Sequence, residues 1–250
     1  MEVASGLMGT DVPLAIFPGG TANVMSVELG IPADLAEACA LVCGSASAIR
    51  TIDVGKVLRV NNPEGGDYFF LTRVGMGLEV QVIEGADRET KDRMGWLAYA
   101  LSALRALTSP PVAHYRLTLD GWEIESQGVT CVIANSGVIT PNSGIAGRTV
   151  LSFAPNVNIS DGLLDVIVIR ATDLGGLLAV AASVVAGTED AEPLQHWQAR
   201  EVSANTDPPQ NLQCDGELIG QTPITVRVAP QALRVIVPEG SKTVEEQRGG

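Results

Sequence analysis

Hydrophobic positions follow a helical period before about residue 50 and a β-strand period after it. In the first part, apolar residues recur three and four positions apart, which predicts helices over residues 2–8, 22–29 and 35–43. One short apolar strand is predicted over residues 14–17, and Gly30 and Gly44 are suitable ends for the second and third helices. A strand with helices indicates a fragment of an α/β domain.

β-Branched residues dominate the chain from residue 51 onwards, in short runs separated by turn residues. These runs predict strands over residues 52–60, 68–74, 115–119, 129–134, 163–169 and 224–228. Helical patterns interrupt them at residues 88–107 and 173–186. The predicted fold class is an α/β remnant (residues 1–50), a mainly antiparallel β-sandwich with two helical insertions (51–240) and a polar tail (241–250).

Composition and charge narrow the class of protein. The 250 residues are 46% hydrophobic and 18% charged, which is typical of a globular protein. Because 29 acidic residues outnumber 16 Lys and Arg, the formal charge is -13, and we expect no nucleic-acid partner and only local, transient contact with a membrane. No apolar run reaches the roughly 20 residues of a bilayer span, and no signal sequence is evident, so a cytoplasmic location, peripheral at the membrane, is expected.

Cysteine and histidine spacing predicts neither a zinc site nor a redox centre. His114 and His196 have no second ligand at metal-binding spacing, so both are expected to be structural or exposed. The cysteines form no CxxC pair and are expected to be reduced thiols: Cys39, Cys43, Cys131 and Cys214.

The segment from Pro18 to Asn23 connects a predicted strand to a predicted helix. Free backbone N–H groups and the positive end of a helix dipole favour a phosphate there, and glycines allow a ligand to approach the backbone closely. Thr21 is a suitable N-cap. A Gly-Gly-Thr turn is also an ordinary way to join a strand to a capped helix, and both interpretations stay open.

Two Asp-Gly pairs precede predicted β segments. Asp161 with Gly162 is either a tight turn or a hard-cation site, in which the carboxylate joins backbone carbonyls and water around Mg²⁺. Asp215 and Glu217 flank Gly216, and a carboxylate there either lies on a solvated turn or accepts the proton of an attacking hydroxyl. The residues alone leave both alternatives open.

Nine short segments, taken in their order along the chain, resemble the diacylglycerol kinase catalytic family, particularly its soluble bacterial lipid kinases. The resemblance covers nearly the whole chain. The matching segments are residues 2–7, 17–23, 29–32, 52–55, 74–77, 91–99, 161–166, 215–217 and 230–238. The resemblance implies an α/β nucleotide-binding domain followed by a β-sandwich, with transfer of the γ-phosphate of ATP to a lipid hydroxyl in the cleft between them.

The resemblance also implies roles for individual residues. Glu217 is expected to be the catalytic base, with Asp215 beside it as a second carboxylate. A structural Mg²⁺ is expected on Asp161 together with the main-chain carbonyls of Asn158 and Leu163. The expected nucleotide-site residues are Thr21, Gly20, Asn23 and Glu2.

Departures from the family pattern bear on activity. The family's Gly-Gly-Asp-Gly-Thr loop occurs nowhere in the 250 residues, Val24 replaces a common Asp, and Ala134 replaces a common Gly. Because phosphoryl transfer depends on holding the phosphates, we expect little kinase activity from this chain. We also expect the N-terminal region to leave apolar surface open, and either to pack against a second copy of the chain or to be poorly ordered.

Two other functions remain open alongside a lipid kinase. The sandwich is compatible with a non-catalytic protein that binds lipid or a partner. The architecture is also compatible with a nucleotide kinase similar to NAD kinase, although the segments at residues 161–166 and 215–217 favour the lipid branch.

Overall fold

A computed structural model describes residues 1–20, 23–44, 46–61, 68–80, 112–140, 151–152, 157–171, 175–176, 179–180 and 193–241. The helices are α1 (Glu2–Leu7), α2 (Val24–Glu28) and α3 (Leu35–Cys43). The strands are β1 (Ser47–Asn61), β2 (Phe69–Phe70), β3 (Arg73–Gly77), β4 (Ala113–Leu119), β5 (Trp122–Gly128), β6 (Thr130–Ala134), β7 (Val138–Thr140), β8 (Leu151–Ser152), β9 (Leu164–Ile169), β10 (Leu194–Ala199), β11 (Glu201–Asp207), β12 (Asn211–Cys214) and β13 (Glu217–Pro238).

The three N-terminal helices agree with the sequence prediction, with changes at their ends. Asp34 caps α3, because its side chain accepts a hydrogen bond from the backbone of the first turn. Asn23, in a left-handed conformation with φ 46°, precedes α2, whereas the predicted cap Thr21 lies outside the described residues. The strand predicted at residues 14–17 is reduced to one parallel bridge between Leu14 and Val235.

Eleven strands join in one sheet that curls around an apolar core. The order is β10-β9-β6-β3-β12-β13-β11-β4-β5, with β1 paired to β13 and β2 paired to β1. The two outermost strands of this order, β10 and β5, approach each other where Ser126 on β5 donates a hydrogen bond to Gln195 on β10 at 2.7 Å. Tyr115, Phe70 and Met76 are fully buried inside the curled sheet, in what we call the sheet core. The predicted antiparallel sandwich is therefore confirmed.

Strands β1 and β13 belong to two cores at once. They have 15 and 22 residues, and they pair from Ser47 opposite Pro238 to Asn61 opposite Gln221. One part of this strand pair lies in the sheet core, and the other packs against the helices in a second cluster, which we call the helix core. Its fully or nearly fully buried members include Ala4, Leu29, Ala38, Ile52, Leu233 and Val235. The predicted domain boundary at residue 50 therefore falls within a strand that both cores share.

Apolar side chains of the N-terminal region remain exposed, in agreement with the expected open apolar surface. They are Val3, Val12, Phe17, Leu35 and Val42. The helices predicted at residues 88–107 and 173–186 lie outside the described residues, apart from helical pieces at 175–176 and 179–180. Within the described ranges, no helix is long and apolar enough to cross a bilayer.

The four cysteines differ in exposure, and this predicts their reactivity. All are free thiols; Cys39 and Cys43 are exposed on α3, whereas Cys131 and Cys214 are buried. Burial raises the pKa of Cys131 to about 12 and also raises the pKa of Cys214. Because the thiolate is the reactive form, we expect two thiols of the native chain to react rapidly with Ellman's reagent at mildly alkaline pH, and two only after unfolding.

A matched variant checks this assignment. The double variant Cys39→Ser, Cys43→Ser should show no rapidly reacting thiol in the native state. Rapid reaction of a third thiol in the unsubstituted chain would contradict the burial of Cys131 and Cys214.

Candidate active site

A cleft of about 550 Å³ opens between the helical region and one end of the sheet. One wall comes from α1, the start of α2 and the segment with Ile16 and Phe17, and the other comes from the β2–β3 connection and the β12–β13 hairpin. Three carboxylate side chains line the cleft, those of Glu2, Asp215 and Glu217. The cleft therefore brings the predicted catalytic residues close to the predicted nucleotide segment.

The β12–β13 hairpin fixes the position of Glu217. Its two turn residues, Asp215 and Gly216, have positive φ angles of 48° and 95°, and Cys214 pairs with Glu217 across them. Two successive residues with positive φ are typical of a type I′ turn, for which Asp-Gly is a preferred pair. The turn places Glu217 at the first position of β13.

The Asp215 carboxylate is held by a ring of donors from the β2–β3 connection. Its Oδ2 accepts the Leu71 backbone N–H at 2.7 Å. Its Oδ1 accepts the backbone N–H groups of Thr72 and Arg73 at 3.0 and 2.9 Å, and also the Thr72 hydroxyl. These four donors occupy most of the acceptor positions of a carboxylate. This geometry favours a positioning role for Asp215 over the predicted catalytic one.

Glu217 differs from Asp215 in being open to the cleft. Its side chain is exposed, and its carboxylate has no hydrogen bond or ion pair with another described residue. A carboxylate in this state can accept a proton from a hydroxyl that approaches to about 3 Å. Of the two carboxylates on the hairpin, Glu217 is the one suited to act as a base.

The predicted nucleotide segment folds back on itself ahead of α2. The Asn23 side chain accepts the Gly20 N–H at 2.9 Å and donates to the Gly20 carbonyl at 2.7 Å. Asn23 and Glu2 line the cleft, and Thr21 lies outside the described residues. The exposed Glu2 side chain lies 3.3 Å from the Met1 amino group, and a hydrogen bond from its own backbone is the main reason that the pKa of Glu2 is lowered.

The predicted metal residues form a compact turn. Asp161 Oδ1 accepts the Leu163 N–H at 2.9 Å, and Asn158 Oδ1 accepts the Ser160 N–H at 3.0 Å, which are bonds of Asx turns. Across the described ranges, no three His, Cys, Asp or Glu side chains form a metal-binding group. These donors fit a hard cation only through the Asp161 carboxylate, main-chain carbonyls and water. The Mg²⁺ site remains a prediction.

Asp53 is a buried carboxylate that the sequence analysis did not select. It is fully buried; its Oδ2 accepts the Gly162 N–H at 2.6 Å, and its Oδ1 accepts the Gln231 N–H at 2.7 Å. Asp53 thereby joins the Asp161 turn to a bend of β13 at Gln231, where φ is 48°. Its position between the apolar residues Ile52 and Val54 was the signal in the sequence that this carboxylate is buried. A buried carboxylate requires hydrogen-bond donors.

Asn135 extends this network towards the β12–β13 hairpin. Its Nδ2 donates to the carbonyls of Asp53 and Leu71, at 3.1 and 2.9 Å. Leu71 in turn donates to Asp215, so hydrogen bonds run from the Asp161 turn to the β12–β13 hairpin. Ser136, the next residue, donates to the buried Glu28 at 2.6 Å and fixes α2 against the sheet.

His196 has a partner that its spacing in the sequence did not reveal. Its Nε2 lies 2.6 Å from Oδ1 of the buried Asp165, which also accepts a hydrogen bond from Gln198 at 3.1 Å. The expected structural role of His196 agrees with this contact. Sequence spacing could not show this contact, because the two residues are neighbours only across the β9–β10 pairing.

Comparisons with known proteins agree with this architecture. Residues 72–237 match the family described as "YegS C-terminal NAD kinase beta sandwich-like domain", and residues 1–57 match "Diacylglycerol kinase catalytic domain". An uncharacterised protein of Synechocystis sp. is 32% identical over 94% of this chain and 52% of its own length. A Staphylococcus haemolyticus protein named "Putative lipid kinase" is 29% identical over 96% of this chain and 74% of its own length.

A solved structure is also similar. The crystal structure of "a putative diacylglycerol kinase" from Bacillus anthracis superposes with a TM-score of 0.73 and 26% identity, over 92% of this chain and 71% of that chain. The chain thus spans about half the length of the Synechocystis relative and about three quarters of the two others.

The fold combines a helical region with a β-sandwich, and the cleft lies between them. The YegS-type sandwich model spans more than half of the chain, so the chain belongs to that family. The match of residues 1–57 to the diacylglycerol kinase catalytic domain confirms the resemblance that the sequence motifs indicated.

Proposed function

We propose that this chain takes part in the ATP-dependent phosphorylation of a lipid hydroxyl, and that the lipid binds beside Glu217. The observation that carries the proposal is the carboxylate of Glu217, which lies at a cleft on a tight turn and bonds to no other described residue. Apolar side chains of the same cleft, including Ile16 and Phe17, suit an acyl chain. The family and the names of the similar proteins support the same reaction class.

Glu217 would act as the general base of this reaction. It accepts the hydroxyl proton while the lipid oxygen forms a bond to the γ-phosphorus of ATP, the bond from that phosphorus to the bridging oxygen breaks, and ADP leaves. Asp215 keeps the hairpin against the β2–β3 connection, so that Glu217 is already in place when the hydroxyl arrives.

The nucleotide and its cation complete the proposal. ATP would approach from the side of Asn23 and Glu2, which line the cleft opposite the hairpin. Mg²⁺ would neutralise the charge that develops on the phosphates. A second, structural Mg²⁺ would be held by Asp161 with the carbonyls of Asn158 and Leu163.

Transfer of label from ATP tests the proposal. The chain is incubated with Mg²⁺ and ATP labelled on its γ-phosphate, together with micelles of diacylglycerol, phosphatidylglycerol or sphingosine, and separately with NAD. We expect labelled lipid that forms slowly, because the 250 residues contain no Gly-Gly-Asp-Gly-Thr loop. The Staphylococcus haemolyticus relative serves as a comparison in the same micelles.

The alternatives give different results. Label on NAD rather than on lipid would identify a nucleotide kinase. Lipid that binds in the cleft but stays unlabelled through long incubation would indicate a non-catalytic lipid-binding protein. Turnover as fast as that of a typical kinase would contradict the expected low activity, although it would support the reaction.

A further inference from the structure

The second residue of the β12–β13 turn has a side-chain partner that the turn itself does not require. In a two-residue hairpin turn, the backbone hydrogen bonds join the flanking residues, which here are Cys214 and Glu217. The Gly216 N–H donates instead to Oε1 of Gln213 at 2.7 Å. Gln213 is only 1% exposed, whereas Gly216 and Glu217 are both exposed. A buried amide therefore holds the exposed residue that directly precedes Glu217.

The Gln213 side chain shares the space above Gly75 with the carboxylate of Glu79. A Cβ atom on Gly75 would overlap Oε2 of Glu79 and would come within 2.8 Å of Nε2 of Gln213. The other oxygen of Glu79 accepts the Arg73 Nε–H at 2.6 Å, which fixes the carboxylate in place. Because a carboxylate attracts the NH₂ end of an amide, Glu79 favours the orientation in which the amide oxygen of Gln213 faces Gly216.

Strand β3 also holds the first residue of the turn. The Asp215 N–H donates to the Arg73 carbonyl at 3.0 Å, and the Arg73 N–H donates to the Asp215 carboxylate at 2.9 Å. Both turn residues are therefore tied to β3, Asp215 directly and Gly216 through a side chain that lies over the strand.

Building on the proposed function, we propose that Gln213 is a positioning residue, which fixes Gly216 so that the carboxylate of Glu217 stays directed at the acceptor hydroxyl. Gln213 lies outside the described lining of the cleft, so it acts through the turn and not on the substrate. A base must lie within about 3 Å of the proton that it takes up, and a displacement of about 1 Å can cost up to 100-fold in rate. Loss of the Gln213 bond lets Gly216 move and displaces the base.

Gln213→Met tests the proposal, because Met has a similar length but no strong acceptor. We expect the Gly216 amide hydrogen to exchange with solvent about 5-fold faster, as measured by NMR of the isotope-labelled chain, since one hydrogen bond is lost. In the label-transfer assay, kcat should fall about 10-fold while the KM for lipid stays within about twofold. Circular dichroism at the assay temperature checks that both chains are fully folded, so that a smaller folded fraction is not the cause.

Two further variants make the test specific. Gln221→Met removes the exposed hydrogen bond to Asn211, at 2.9 Å, between the same two strands, and should change neither Gly216 exchange nor kcat. Gly75→Ala leaves Gln213 itself unchanged but displaces the end of its side chain, and should also speed the exchange of Gly216. Gly75→Ala therefore provides the test if Gln213→Met does not fold.

Two results would overturn the proposal. One is unchanged exchange of the Gly216 amide in the folded Gln213→Met and Gly75→Ala chains, and the other is a kcat in Gln213→Met no lower than that in Gln221→Met. If no lipid is labelled by any of these chains, the proposed reaction fails. Faster exchange of Gly216 in Gln213→Met, but not in Gln221→Met, would still show that Gln213 fixes the turn.

Discussion

Replacing Glu217 with Gln should lower the rate of phosphate transfer to lipid by roughly 10²–10⁴-fold, the contribution typical of general-base catalysis. Gln has the same shape but cannot take up the hydroxyl proton. Because the side chain is exposed and bonds to no residue in the described part of the chain, the substitution should leave the folded state intact. Label transfer at saturating lipid measures the loss of rate, and circular dichroism of both proteins checks that the fold is retained.

Asp215→Asn is the matched comparison on the same hairpin. The Asn amide has only one acceptor oxygen, and its NH₂ group would face N–H and hydroxyl donors that each need an acceptor. We therefore expect the substitution mainly to lower stability and lipid affinity. We expect kcat to fall far less than in Glu217→Gln. Equal loss of kcat in the two variants, with both folded, would show that the two carboxylates act as one catalytic unit.

Replacing Asp53 with Ala should lower the free energy of unfolding by roughly 3 kcal/mol, because the Gly162 and Gln231 N–H groups would lose their buried acceptor. Urea unfolding at neutral pH measures this change. Asp53→Asn keeps one acceptor and should lose less. The effect is expected to be large because Asp53 is fully buried at the junction of β1, β13 and the Asp161 turn.

Asp11→Ala provides the control for Asp53. Asp11 pairs with Arg234 at 2.8 Å, but its side chain is fully exposed, so its loss should change stability little. If the two Ala variants unfold at the same urea concentration, the hydrogen bonds of Asp53 do not contribute to stability in the way the geometry indicates.

Local features of the site could be predicted from the sequence. The Asp215-Gly216 turn follows from the left-handed conformations that Asp and Gly tolerate, and it appears with both φ angles positive. Helix α3 also ends at the predicted Gly44, although Gly44 is extended (φ -101°, ψ 170°) rather than left-handed. In each case, the interactions that decide the structure lie within a few residues along the chain.

Strand lengths were harder to predict, because β13 contains residues that usually interrupt strands. Only residues 224–228 were predicted, whereas the strand runs from Glu217 to Pro238 through Gly220, Pro223 and Pro230. Pro223 and Pro230 are tolerated because they fall at irregularities of the pairing with β1, between Gln221 and Ile224 and between Ala229 and Leu233. Gly220 lies at a similar irregularity of the pairing with β12. Strand β5 was missed because its outward-facing residues are polar and charged.

The buried polar network depends on register, which no local pattern shows. Asn135, directly after β6, is close to Asp53, within β1, only through the tertiary fold, because the two residues are far apart along the chain. His196 is close to Asp165 only through the β9–β10 pairing. For the same reason, the sequence indicated both hairpin carboxylates but did not show that Asp215 is occupied and Glu217 is not.

The strand pair shared by the two cores also has a consequence for synthesis of the chain. Helices α1 to α3 leave the ribosome well before the residues of β13 on which they pack, from Leu233 to Val237. Closing contacts between such distant segments is slow, because the intervening chain must first be brought together. The helical wall of the cleft therefore cannot be completed until β13 has been translated.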